Sequence, residues 1–184
     1  MKRVLIPIAP GFEEIEALAT ADILRRAGIE VILAGTISGP IEGRSKIRIL
    51  SDTTLNSVKG QDFDMIVLPG GAVGAENLKK DPDVKEIVER LYKKGRFVTA
   101  ICAAPTVLSA IGITAGKNIT SHPSVRDKLT REKLSDERVV IDGNIVTSQG
   151  PGTAIEFAFR LVELLLGKDK VTEVNKGVLA RIQF

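Results

Sequence analysis

The chain has 184 residues, 43% of them hydrophobic and 27% charged, which excludes a disordered chain and suits one domain, 1–184, with a sizeable core. The net charge is +3, with lysine and arginine interspersed among acids, as in Lys79-Lys80-Asp81, so nucleic acid is an improbable partner. A single cysteine leaves no internal disulfide, and one cysteine with one histidine leaves no zinc site of the usual nitrogen and sulfur kind.

In chain order, Val4–Ala9 is an unbroken apolar run, the pattern of a strand buried on both faces. It is too short for a signal-peptide core and runs into Pro10-Gly11, so it reads as a strand of a cytoplasmic protein. Glu13–Ala27 reads as a helix closed by Gly28, with Ile15, Leu18, Ala19 and Ile23 as its apolar stripe. Glu30–Ala34 is a second strand. Gly35–Leu50 is irregular, with room for a hairpin around Gly39-Pro40 and Ile47–Leu50. Met65–Leu68 is a buried strand closed by Pro69-Gly70-Gly71. Asp83–Lys94 is an amphipathic helix with Val84, Ile87, Val88 and Leu91 on one side. Phe97–Ile101 is a strand and Ala104–Ile111 a short helix. Val139–Ile141 and Ile145–Thr147 form a hairpin across Asp142-Gly143-Asn144. Gly152–Leu166 is a long buried helix, too interrupted by charge to span a membrane, and Lys170–Val178 is a last helix.

Apolar strands alternating with helices predict an α/β fold with a mainly parallel sheet and helices on both faces. Sites in such sheets lie beyond the carboxyl ends of the strands. Three segments qualify: Pro10–Glu16, Pro69–Ala72 and Cys102–Pro105.

Cys102 follows its strand directly and is followed by Ala103, Ala104 and Pro105. Small residues at a strand-to-helix switch have the form of a nucleophile elbow. Free N–H groups and the positive end of the following helix are expected to lower the thiol pKa. Gly70-Gly71 can turn backbone N–H groups into the same cleft as an oxyanion cradle. At about 100° per residue, Glu16 falls roughly 20° from Ile23, on the margin of the apolar stripe. A partly desolvated carboxyl there has a raised pKa and can move protons near neutral pH. His122, the sole histidine, lies in the loop Thr120-Ser121-His122-Pro123.

Taken together, Gly11–Glu16, Val67–Gly71, Ala100–Pro105, Ser121-His122-Pro123 and Ser148–Thr153 resemble the ThiJ/PfpI superfamily, related to class I glutamine amidotransferases, in its DJ-one branch. The resemblance runs over nearly the whole chain. It implies a flavodoxin-like three-layer α/β/α sandwich, a homodimer, and no cofactor or metal. It implies Cys102 as the reactive thiol, Glu16 as its carboxylic-acid partner, Gly71 and Ala103 as backbone N–H donors, and His122 completing the site. Relatives described as peptidases carry a histidine directly after the cysteine; Ala103 stands there in this chain, which argues against that activity. Ser45 takes the place of a basic residue of some relatives, with Arg44 beside it.

Two readings follow for Cys102. In the first, it attacks small 2-oxoaldehydes such as methylglyoxal, or glycated side chains, and yields 2-hydroxy acids without glutathione, as a glyoxalase or deglycase. In the second, it is an oxidation sensor whose sulfinate recruits partners.

Overall fold

The computed structural model describes residues 1–181. The first half of the chain runs β1 (Arg3–Ile8), α1 (Glu14–Arg26), β2 (Glu30–Gly35), β3 (Pro40–Glu42), β4 (Arg48–Leu50), β5 (Thr53–Thr54) and α2 (Leu55–Val58). It continues through β6 (Met65–Leu68), α3 (Ala72–Lys80), α4 (Pro82–Lys93), β7 (Phe97–Ile101) and α5 (Pro105–Ile111). The short β8 (Asn118–Ile119) and β9 (Lys133–Leu134) follow. The chain then passes through β10 (Val139–Asp142), β11 (Ile145–Ser148), α6 (Ala154–Leu166) and α7 (Lys168–Val178).

Seven strands form the central sheet in the order β10-β11-β7-β6-β1-β2-β5. All neighbours pair in parallel except β10 and β11, the hairpin whose turn is Gly143-Asn144. The register sets Leu5 opposite Ile32, Val67 opposite Thr99, and Ala100 opposite Thr147.

Side-chain alternation splits the core between the two faces. Val4, Ile6 and Ile8 point into one layer with residues of α1, α6 and α7. Leu5, Ile66 and Leu68 point into the other, with residues of α3, α4 and α5. The result is a three-layer α/β/α sandwich. Among the described residues no helix is long and apolar enough to cross a membrane.

The expected strands and helices are present, and the irregular segment before Leu50 contains the β3–β4 hairpin. Two points differ. Ile15, expected on the buried stripe of α1, is 54% exposed; the buried face is Glu16, Ala17, Thr20, Ala21, Ile23 and Leu24, so Glu16 lies inside it rather than at its margin. The helix α3 was not anticipated. Its buried residues are Gly74, Ala75 and Leu78, a contact surface too small in apolar area to make a periodic stripe.

Parallel strands of this register end together. Ala9–Phe12 after β1, Pro69–Gly71 after β6 and Cys102 after β7 are therefore brought side by side. Direct bonds lock them: Glu13 N–H donates to the Gly70 carbonyl at 3.0 Å, and Gly74 N–H to the Gly11 carbonyl at 3.1 Å.

Candidate active site

Cys102 is the residue at which β7 turns toward α5. Its φ is +65°, in the left-handed region that side chains other than glycine rarely occupy, at a cost of about 1–2 kcal/mol. Two bonds from different elements hold it there. Its N–H donates to the Ser148 carbonyl at 2.9 Å, and its carbonyl accepts from His122 N–H at 2.9 Å. Pro105 opens α5, where its missing N–H leaves no broken bond. The strain aims the half-buried thiol over the sheet edge, where the backbone N–H groups of Gly71 and Ala103 donate toward its sulfur.

Glu16 reaches the same point from α1. It is fully buried. One carboxyl oxygen, Oε2, accepts from Gly70 N–H at 2.7 Å. The other, Oε1, is buried without a nitrogen or oxygen partner, and the carboxyl group hydrogen-bonds the Cys102 thiol. Glu13 supports this arrangement as the N-cap of α1, its side chain accepting Glu16 N–H at 2.8 Å. Gly70 cannot be replaced without a collision. A β-carbon there would lie 2.6 Å from Glu16 Oε2 and 2.7 Å from Cys102 Cβ.

Burial sets the electrostatics. Desolvation raises the Glu16 pKa from 4.5 to about 7, against the smaller pull of its hydrogen bonds from Cys102 and Gly70. Burial and the facing Glu16 carboxylate push the Cys102 thiol up to about 12, while the N–H groups of Gly71 and Ala103 pull the other way. The direction is opposite to that expected from the helix end: burial and a carboxylate in contact outweigh the N–H donors. With Glu16 protonated, its charge no longer opposes the thiolate. The two groups thus share protons, and their ionisation belongs to the pair.

His122 stands on the far side of the sulfur. Its Nδ1 accepts from Ser124 N–H at 3.2 Å and lies 2.7 Å from Ser124 Oγ, which places the proton of the neutral ring on Nε2. Gly150 adjoins both the ring and the sulfur. A methyl added to it would sit 3.4 Å from His122 Cδ2 and 4.0 Å from Cys102 Sγ. The structure therefore gathers Cys102, Glu16, Gly71, Ala103 and His122 around one point.

Gly70, expected with Gly71 as part of an oxyanion cradle, instead donates its N–H to Glu16. Glu13 and Gly150 were not singled out as site residues, although Glu13 lies in one of the three segments expected to hold the site.

The comparisons place the chain in one family and one fold. The family model "DJ-1/PfpI family" matches residues 2–164. The protein dj-1beta of Drosophila melanogaster is 45% identical over 181 residues, covering 97% of each chain. Its crystal structure superposes with a TM-score of 0.96 at 42% identity, over 98% of this chain and 99% of that one. The Caenorhabditis elegans protein named glutathione-independent glyoxalase DJR-1.2 is 42% identical over 178 residues, covering 95% of each chain. Matched over residues 2–164, this chain belongs to the DJ-1/PfpI family.

Proposed function

We propose that the chain is a glutathione-independent glyoxalase in which Cys102 and Glu16 convert a 2-oxoaldehyde to a 2-hydroxy acid. The observation that carries this reading is the fully buried Glu16, with a pKa of about 7, in contact with the thiol on its strained turn. The relative whose name is a glyoxalase supports the same class.

The chemistry follows from where the proton sits. Moving it from Cys102 to Glu16 gives a thiolate beside a neutral acid. The thiolate attacks the aldehyde carbon, a sulfur–carbon bond forms, and the carbonyl π electrons move to oxygen. The N–H groups of Gly71 and Ala103, which face the sulfur, stabilise the developing oxyanion, and a proton from Glu16 completes the hemithioacetal. Glu16, now ionised, removes the hydrogen on that carbon and gives an enediolate; the same proton returned to the neighbouring carbon makes a 2-hydroxy thioester. His122 offers its Nε2–H to the substrate's second oxygen. Water hydrolyses the thioester, releasing the 2-hydroxy acid and restoring the thiol. The net change is addition of one water to the 2-oxoaldehyde, with no external oxidant or reductant. Glycated side chains that release or present the same carbonyl enter at the same step. A lone thiol used this way suits a reducing, cytoplasmic compartment.

Lactate formation from methylglyoxal in glutathione-free buffer tests the proposal. Wild type forms lactate, while Cys102→Ser and peroxide-treated protein form none. A wild type that forms no lactate, but holds a stable Cys102 sulfinate that is lost in Glu16→Gln, would establish the sensor reading instead. That reading draws on the same N–H donors and carboxylic acid, which suit a sulfinate oxygen as well as an oxyanion. Ala103 leaves no histidine directly after the cysteine, which argues against a peptidase.

A further inference from the structure

The mechanism uses the aldehyde end of the substrate and leaves its other end unplaced. A cavity of about 260 Å³ opens on the His122 side of the sulfur, walled by His122, Gly150, Gln149 and Arg138. Cys102 does not itself line it; Gly150, which does, adjoins the thiol, since a methyl added there would lie 4.0 Å from Sγ. Gly150 has a φ of 165°, extended backbone that any residue adopts, so its lack of a side chain is not a demand of the turn. What the missing side chain provides is an opening between thiol and cavity.

The charge of this cavity comes from Arg138. Its Nε pairs with Glu156 at 2.7 Å and its Nη2 donates to the Gly152 carbonyl at 2.8 Å. The guanidinium is thus anchored at two points, and Nη1 has no partner among the described residues. A guanidinium held in place with a free edge suits a carboxylate. Methylglyoxal has carbonyl oxygens but no carboxylate to pair with it.

We propose that this cavity is the subsite for the distal part of the substrate, that Gly150 keeps it open to the thiol, and that Arg138 selects 2-oxoaldehydes carrying a carboxylate at that end. The substrate class named here rests on the glyoxalase reading; the charge selection at Cys102 does not.

Alkylation of Cys102 separates the two. Iodoacetate and iodoacetamide differ in charge and little in size, and in both the thiolate forms a sulfur–carbon bond as iodide leaves. The ratio of their rates, measured on wild type, Arg138→Gln, Arg138→Lys and Glu156→Gln, reports the field of Arg138 at the sulfur. The expected fall in Arg138→Gln is about fivefold, the scale of one nearby cation at a half-buried site. Arg138→Lys keeps most of the wild-type ratio, and Glu156→Gln, which removes a compensating negative charge, raises it. An unchanged ratio in Arg138→Gln overturns the proposal. So does an equal fall in Arg138→Gln and Glu156→Gln, which would make the ion pair only a brace for the loop.

The same variants are then given methylglyoxal and 4,5-dioxopentanoate, a 2-oxoaldehyde with a terminal carboxylate. Arg138→Gln raises KM for the second at least tenfold more than for the first. Gly150→Ala lowers kcat/KM more for the longer substrate than for methylglyoxal. If both losses are equal across substrates, the subsite is elsewhere. If wild type turns over neither compound while the alkylation ratio behaves as stated, the glyoxalase reading fails and the charge selection stands.

Discussion

A carboxyl and a thiol buried against one another can hold two protons, one or none, and the protein's surroundings decide which. Glu16 has a fully buried side chain, one N–H donor from Gly70, and a pKa raised from 4.5 to about 7. Its folded state binds a proton more tightly than its unfolded state, so the folded state is favoured most when both are protonated. The stability this contributes is complete below pH 4.5 and is lost as pH rises through 7, by an amount on the order of 3 kcal/mol. Glu13, also raised by burial, adds to the same slope. Urea unfolding of wild type is therefore expected to show stability falling between pH 4.5 and 7, and Glu16→Gln is expected to flatten most of that fall. A wild-type curve that is flat or rises over this range would mean that Glu16 is not protonated in the folded protein.

At the scale of elements, the site is made where loops after parallel strands cross. The apolar runs of β1, β6 and β7 were legible because strands buried on both faces leave no room for polar residues. The three segments beyond their ends were legible for the same reason. Cys102 stood out because it follows Ile101 without a spacer. The contact with Glu16, 86 positions away, was not readable from spacing; it came through family resemblance, and the structure supplies its cause, the inward turn of α1's Glu16–Ala17 face. The helix α3 escaped notice because its close packing needs absence of side chain. A β-carbon on Gly74 would lie 2.7 Å from Phe12 N and Cα, both backbone atoms that cannot yield cheaply. Two effects compete in Gly74→Ala. Helix propensity favours alanine by about 1 kcal/mol, whereas overpacking costs about 1–3 kcal/mol. The second is expected to win, giving a net loss of up to about 2 kcal/mol in chemical denaturation and lower activity, because Gly71 caps the same helix. A stabilised Gly74→Ala would show that α3 can move away from Phe12 freely.

For the whole molecule, both helical layers pack on one sheet, and we propose that the chain unfolds as one cooperative unit. The surface also carries apolar residues that the layers do not use. Ile15 on α1, and Ile47 and Leu50 on the β3–β4 hairpin, are exposed. The hairpin is bound to α1 through Glu14 Oε1, which accepts Ser45 N–H at 2.8 Å. We propose that this face pairs two copies of the chain. Sedimentation of wild type is then expected to give a dimer, and Leu50→Asp a monomer with an unchanged Tm for the fold; a monomeric wild type would contradict the assignment. Arg138 and Gly150 lay beyond sequence reading for a related reason: the roles proposed for them depend on a cavity formed by loops from β9–β10 and β11–α6.

The proposed chemistry depends on one pair of groups exchanging protons, and the dependence of kcat/KM for methylglyoxal on pH, in wild type and Glu16→Gln, tests it most directly. The active form of the pair carries one proton. Wild-type activity should rise through about pH 7 and level above it, because the second ionisation lies near 12. Glu16→Gln should lose at least about a hundredfold in rate and the rise near 7 together. A Glu16→Gln enzyme that keeps the wild-type rate and profile would place the proton transfer on another group and contradict the account.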